Sequence, residues 1–284
     1  MGIFGDKFVV ELELKGFSNC TKVAYISAMK GFVKFHNKSP NKLGIDEIKK
    51  YQHFLIKTKK FSPKTVNQHT SAILFFYRSV MKRYFPVGMI PRMKCQKKIP
   101  IVPTADDIEK MLNVWMKIKY RAIFMTLYST GMRVSEVTNL KPSDIDSKRM
   151  IISVRNGKGG KDRQTILSPF LLELLRKYWV SNKEDKSIWL FPNKKNKNKK
   201  ISTRAVYNLI KKIARLAKIN KDISPHSLRH GFAVHLLEGG TNIRYIQSLL
   251  GHKEIKSTTI YTYIANVGAM KVKSPIDVIL EKTA

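Results

Sequence analysis

The sequence predicts a mainly α-helical protein of two domains, with one small antiparallel sheet in the second. Three observations carry that reading. Apolar residues recur at helical spacing through most of residues 6–86. Residues 87–103, VGMIPRMKCQKKIPIVP, then combine three prolines with four lysines or arginines and little periodicity, the composition of a linker. Beyond them, one pair of alternating segments around a glycine-rich turn stands among helical stretches. The expected boundaries are 1–86 for a helical domain, 87–103 for the linker and 104–284 for the second domain with a C-terminal tail.

In the first domain a helix runs through Glu11 and Leu12 to Lys15 and stops at Gly16. Ser18 or Asn19 caps the next, with Val23, Ile26, Met29, Phe32, Val33 and Phe35 on its apolar face. Ile45 to Ile56 is a third amphipathic segment. Ser62 and Pro63 open a fourth in the order cap, then proline at the first helical position. It carries Val66, Ile73, Leu74, Phe76 and Tyr77 inward, and Lys64, Asn67, Gln68, His69 and Thr70 on the exposed side. Two readings of that side fit the pattern equally, a solvated face or a DNA contact.

In the second domain Thr104 and Asp107 form a capping pair. Helices follow over Ile108 to Met116 and Arg121 to Ser129, with Gly131 as a stop and Arg133 opening a short helix. Met150 to Arg155 and Arg163 to Leu167 alternate as hairpin strands, which puts Lys158 at the tip. Pro169 to Val180 is helical. Lys194 to Lys200, KKNKNKK, is a basic loop, read either as a solvated tip or as a DNA contact. Thr203 to Ala217 is a helix with Val206, Ile210, Ile213 and Leu216 inward. Its outer face holds Arg204, Lys211, Lys212, Arg215 and Lys218, suited to lying along DNA or in its major groove.

Composition narrows the function classes. Lysine and arginine number 54 against 20 acidic residues, a formal net charge of +34. A lysine-biased genome accounts for part of this. The remainder predicts a polyanionic partner that relieves self-repulsion, a nucleic acid. No apolar run reaches the roughly 18 residues of a membrane span, and the N-terminal stretch lacks a signal-peptide pattern. Cys20 and Cys95 give neither a disulfide framework nor a zinc spacing. A cytoplasmic, reduced protein is expected.

The chemistry concentrates between His226 and Tyr261. Arg229 lies three residues after His226, His252 lies 26 after it, and Tyr261 nine further on. Arginines and imidazoles can hold a phosphate, and a phenol can attack it. Phosphodiester hydrolysis is slow enough that a site must supply on the order of 20 kcal/mol of transition-state stabilisation. Planar, permanently charged guanidinium forks are the groups for that task.

These motifs resemble the tyrosine recombinase family, the phage-integrase and Xer-type strand exchangers. TGMRVSEV around Arg133 resembles the family's first arginine patch, and HSLRH with His226 and Arg229 its second. LLGH ends at His252, and STTIYTYI holds Tyr261 at the family's spacing. Tyr263, two residues on, is taken as a decoy. His230 and His235 are read as structural, with bracing of the arginine patch open to His230. Glu136, one turn after Arg133, is read as its orienting partner. The resemblance implies a helical core-binding domain and a catalytic domain that clamp duplex DNA in a C shape. It implies that Arg133, Lys158, His226, Arg229, His252 and Tyr261 form the catalytic set. Tyr261 would form a 3′-phosphotyrosyl link, His226 would help deprotonate it or bond the phosphate, and Lys158 would protonate the leaving 5′ oxygen, with Lys161 its competitor.

It further implies four protomers exchanging strands through a Holliday junction, without ATP or metal. Lys64, Gln68, Arg204, Lys211, Lys212 and Arg215 are the expected DNA contacts. The tail KVKSPIDVILEK would either dock on a neighbouring protomer or pack on its own chain. Its SPID stretch resembles mobile-element and integron integrases more than chromosome-housekeeping enzymes. Two other functions use parts of the same pattern: a type IB topoisomerase, and a catalytically idle DNA-binding accessory protein.

Overall fold

The computed structural model describes residues 2–86, 88–96, 99–155, 162–182 and 187–265. Lys158, Lys161 and the tail KVKSPIDVILEK lie outside the described residues. The chain forms two compact units, residues 1–98 and 99–284. Among the described residues, no helix is long and apolar enough to cross a membrane.

The first unit is built from four helices, α1 (Gly2–Leu14), α2 (Asn19–His36), α3 (Ile45–Lys57) and α4 (Pro63–Ser79). Ser18 caps α2 and Ser62 caps α4, each Oγ accepting the N–H three residues on. The helices close over a core that includes Phe8, Met29, Phe32, Ile48, Val66, Phe76 and Tyr77. Burying such side chains contributes about 1.5–3 kcal/mol each. Two details differ from the sequence expectation. Thr70 is buried rather than exposed, because its hydroxyl accepts the Gln52 amide at 2.9 Å and donates to Val66 O. Val23 is 68% exposed, since α2 turns its Met29 and Phe32 stripe inward instead. Within the expected linker, residues 90–93 lie along α4. Ile90 enters the core, and Asn67 exchanges two 2.9 Å hydrogen bonds with the Met93 backbone.

The second unit comprises α5 (Ala105–Asn113), α6 (Ile118–Thr130), α7 (Val134–Thr138), α8 (Pro169–Val180), α9 (Thr203–Leu216), α10 (Pro225–Glu238) and α11 (Ile243–Leu250). A three-stranded antiparallel sheet has the order β1 (Ile145–Asp146), β2 (Ile151–Val154), β3 (Arg163–Ile166). The hairpin strands were legible as alternating residues, whereas β1 is too short to alternate. Register sets Ile152 opposite Thr165 and Val154 opposite Arg163. Thr104 and Asp107 do cap α5 reciprocally, at 2.9 and 3.1 Å. On α9 the inward set is Val206, Ile210, Ile213 and Ala214. Leu216, expected inward, is 53% exposed because it falls at the helix end, past the buried stripe.

Candidate active site

The helix ends of the second unit gather the site. Helix α6 stops at Gly131, whose φ of +60° is left-handed. A Cβ there would come within 2.3 Å of the Phe232 ring, so only glycine fits. The turn delivers Arg133 to the N-cap of α7, where Glu136 accepts the Arg133 backbone N–H at 2.7 Å. The same carboxylate accepts the Arg133 guanidinium at 2.9 Å. From the start of β3, Arg163 adds a fork of two 2.8 Å bonds to the two Glu136 oxygens and donates its Nε–H to Leu249 O.

Helix α10 supplies the next groups. Ser224 caps it and Pro225 opens it, so that His226, Arg229 and His230 share one face at i, i+3 and i+4. Arg229 is almost fully buried. It donates to Gly131 O at 2.7 Å and Leu250 O at 2.6 Å, and its Nη1 lies 4.0 Å from Glu136. Helix α11 ends at Gly251 in the left-handed region, which turns the chain so that His252 Nε2 meets Arg229 Nη2 at 3.1 Å. Arginine only donates, so Nε2 carries the lone pair and Nδ1–H donates to Thr258 Oγ1 at 2.9 Å. Two 3-10 turns, Ile255–Ser257 and Thr259–Tyr263, then return the chain to α10. They bury Tyr261 to 2% exposure while Tyr263 stands 88% exposed. The Tyr261 hydroxyl lies 3.1 Å from His230 Nδ1.

Three guanidiniums therefore converge on one carboxylate. Burial raises the Glu136 pKa, but the hydrogen bonds and charge of Arg163, with Arg133 behind them, overcome it and hold the group at about 2. Arg229 is lowered to about 10 by burial and by the Arg133 charge. His252 falls to about 4 through burial and then Arg229, and His230 to about 4 through burial, His226 and Arg229. At neutral pH these imidazoles carry no charge, and among the described residues the acid paired with the three arginines is Glu136. Such a cluster is built to receive an anion. Burial pushes the Tyr261 phenol up, and Arg229 and Arg133 pull against that.

Of the expected catalytic set, Arg133, Arg229, His252 and Tyr261 come together. His226 stands at the exposed rim, its ring 5.8 Å from that of His230 and nearly parallel to it. The imidazole within hydrogen-bond distance of the phenol is that of His230 rather than His226. Of the expected DNA contacts, Lys64 and Gln68 are exposed one turn apart on α4, and Arg204, Lys212 and Arg215 are exposed on α9. Lys211 is half-buried, paired with Asp222 and placed 5.4 Å over the Tyr207 ring. Sequence reading missed Arg163, Thr258 and the contact of His230. Arg163 was findable: it shares the inward face of β3 with buried Thr165, and an inward cation demands an acid.

The phage integrase family matches residues 102–266, and the phage integrase N-terminal SAM-like domain matches residues 4–86. The tyrosine recombinase XerA of Pyrococcus horikoshii is 34% identical over 91% of this chain and 88% of its own length. An integrase/recombinase of Escherichia coli is 31% identical over 92% of this chain and 89% of its own. Among solved structures, the XerH recombinase in a post-cleavage complex with its difH substrate aligns with a TM-score of 0.72 at 21% identity. That alignment covers 90% of this chain and 80% of that one.

Proposed function

This chain belongs to the phage integrase family of tyrosine recombinases, and we propose that Tyr261 is the nucleophile with which it cuts and rejoins duplex DNA. The observation that carries the reading is the convergence of Arg133, Arg163 and Arg229 on Glu136, beside a phenol that is buried while its near neighbour Tyr263 is not. Tyr261 Oη attacks the scissile phosphorus; the Oη–P bond forms as the P–O5′ bond breaks. The phosphodiester energy is kept in the 3′-phosphotyrosyl link, so the reverse attack by a 5′ hydroxyl reseals a strand. Arg133 and Arg229 hold the non-bridging oxygens with their remaining N–H groups, and Glu136 and Arg163 fix the angle of those forks. His252 donates to the same oxygens once Nε2 carries a proton, which an anion beside it favours. Lys158 protonates the leaving oxygen.

Residues 1–86 act as the core-binding domain and 104–284 as the catalytic domain. The partner is double-stranded DNA, supported by the +34 charge, and the protein works in the cytoplasm. Lys64, Gln68, Arg204, Lys211, Lys212 and Arg215 contact the duplex, mostly at phosphates. Four copies synapse two sites, exchange strands through a Holliday junction and dock their C-terminal tails in trans. A nicked duplex that traps the cleaved state tests the core of this reading. Wild type and Tyr263→Phe should give a covalent complex that survives denaturation, and Tyr261→Phe should not. A complex lost only in Tyr263→Phe would move the nucleophile.

A further inference from the structure

We infer that His230, through Nδ1, is the group that takes the proton from Tyr261 as the phenol attacks. The inference rests on the reading of Tyr261 as nucleophile and adds the base that activates it. Four observations carry it. First, His230 Nδ1 lies 3.1 Å from Tyr261 Oη, within hydrogen-bond reach of the proton to be moved. Second, both partners are held: His230 sits in the middle of α10, and Tyr261 is packed in a cluster with Phe232, Ile246 and Leu250. Third, the other imidazoles have different positions. His252 bonds Arg229 and Thr258 rather than the phenol, and His226 stands at the rim with no hydrogen bond to the phenol. Fourth, the Glu136 carboxylate of the same cluster is held by Arg133 and Arg163.

The balance of the step is simple. The Oη–H bond breaks, its proton moves to Nδ1, the Oη–P bond forms, and P–O5′ breaks with protonation of O5′ by a separate acid. His230 becomes an imidazolium with Nε2–H already in place. The charged group acting on it is Arg229 on its own helix, and Arg133, from the N-cap of α7, acts on its partner Tyr261. His226 and His252 are the neighbouring titratable rings. In the free protein burial, then His226 and Arg229, hold His230 neutral, which leaves Nδ1 open to accept. A phosphate between the arginines offsets their charge, so the ring gains basicity when substrate is bound. On resealing, the same imidazolium returns the proton to the departing phenol.

The test uses the full chain and a duplex recovered from host genomic fragments by its denaturation-resistant complex with wild type. That duplex is then made with sulfur in place of the scissile 5′ bridging oxygen. A thiolate leaves without an acid, so the rate reports activation of the nucleophile alone. We expect His230→Ala to slow covalent complex formation about 100-fold or more on both duplexes, with duplex affinity and melting temperature kept. Added imidazole should restore part of the rate, in step with its neutral fraction as pH rises. His230→Asn, which can bond the phenol but cannot take its proton, should stay slow.

Recovery in His230→Asn, or a His230→Ala defect that disappears on the sulfur duplex, would overturn the inference. An undiminished His230→Ala rate beside an active wild type would overturn it while leaving the Tyr261 reading intact. If Tyr261→Phe still forms the complex, that reading fails and takes this inference with it.

Discussion

Two cationic regions of the second unit differ in how much their surroundings specify. Around Glu136, Arg133, Arg163 and Arg229 have side chains 20%, 10% and 3% exposed, and backbone carbonyls take further donors. On α9, Arg204, Lys212 and Arg215 are exposed, and Lys211 is tied to the exposed acid Asp222. The buried region fixes directions, so it can orient a bound anion. The exposed one fixes only charge, so it can attract a polyanion without choosing its register. Burial turns the same residue type from affinity into geometry.

The largest effect should come from the buried region. Arg229→Lys keeps the charge but loses the planar fork, and cleavage should fall about 100- to 1000-fold in single-turnover assays. A loss under 5-fold would mean that charge alone suffices and would erase the contrast. Next, Glu136→Gln removes the carboxylate that Arg133 and Arg163 share, leaving like charges facing one another. Breaking a buried pair in this way costs about 3–5 kcal/mol, readable as a lowered midpoint in urea. Gly131→Ala should also destabilise, because the new methyl would have to share space with Phe232 at a positive φ.

A smaller effect is expected from pH. The Glu136 carboxyl is held near 2 against an ordinary 4.5, so its contribution is complete above 4.5 and is lost as pH falls through about 2. His230 and His252 are near 4 against 6.5. The unfolded chain therefore takes up protons first, and stability falls as pH drops from 6.5 towards 4. Melting temperatures across that range should decline and then be partly restored by a bound DNA phosphate. A flat profile would contradict the buried, neutral state of the two rings. Least of all, Lys212→Ala should weaken duplex binding evenly across sequences and lower the slope of log affinity against log salt by about one, with the cleavage rate at saturation unchanged.

The elements that were legible are those with a local cause. Serine caps, a proline after a cap, helical stripes and a glycine-turned hairpin place α2, α4, α8, α9 and the β2–β3 pair within a few residues. Arg133, Arg229, His252 and Tyr261 were legible as motifs, and the fold brings them together. What was not legible depends on contacts across the chain. Thr70 looks like a surface residue until Gln52, 18 residues earlier, meets it. Arg163 joins Glu136 from 27 residues away, and nothing next to either in sequence announces the pair. His230 has the spacing for the site face of α10, but only the return of the 3-10 turn shows that the phenol comes to rest against it rather than His226.

The most direct measurement is mass spectrometry of the covalent complex after digestion of both protein and DNA. Tyr261 and Tyr263 lie on one peptide, so fragmentation must separate them. The account predicts a nucleotide 3′-phosphate on Tyr261, the buried phenol inside the arginine cluster. A nucleotide on Tyr263, or one joined through its 5′ end, would contradict it.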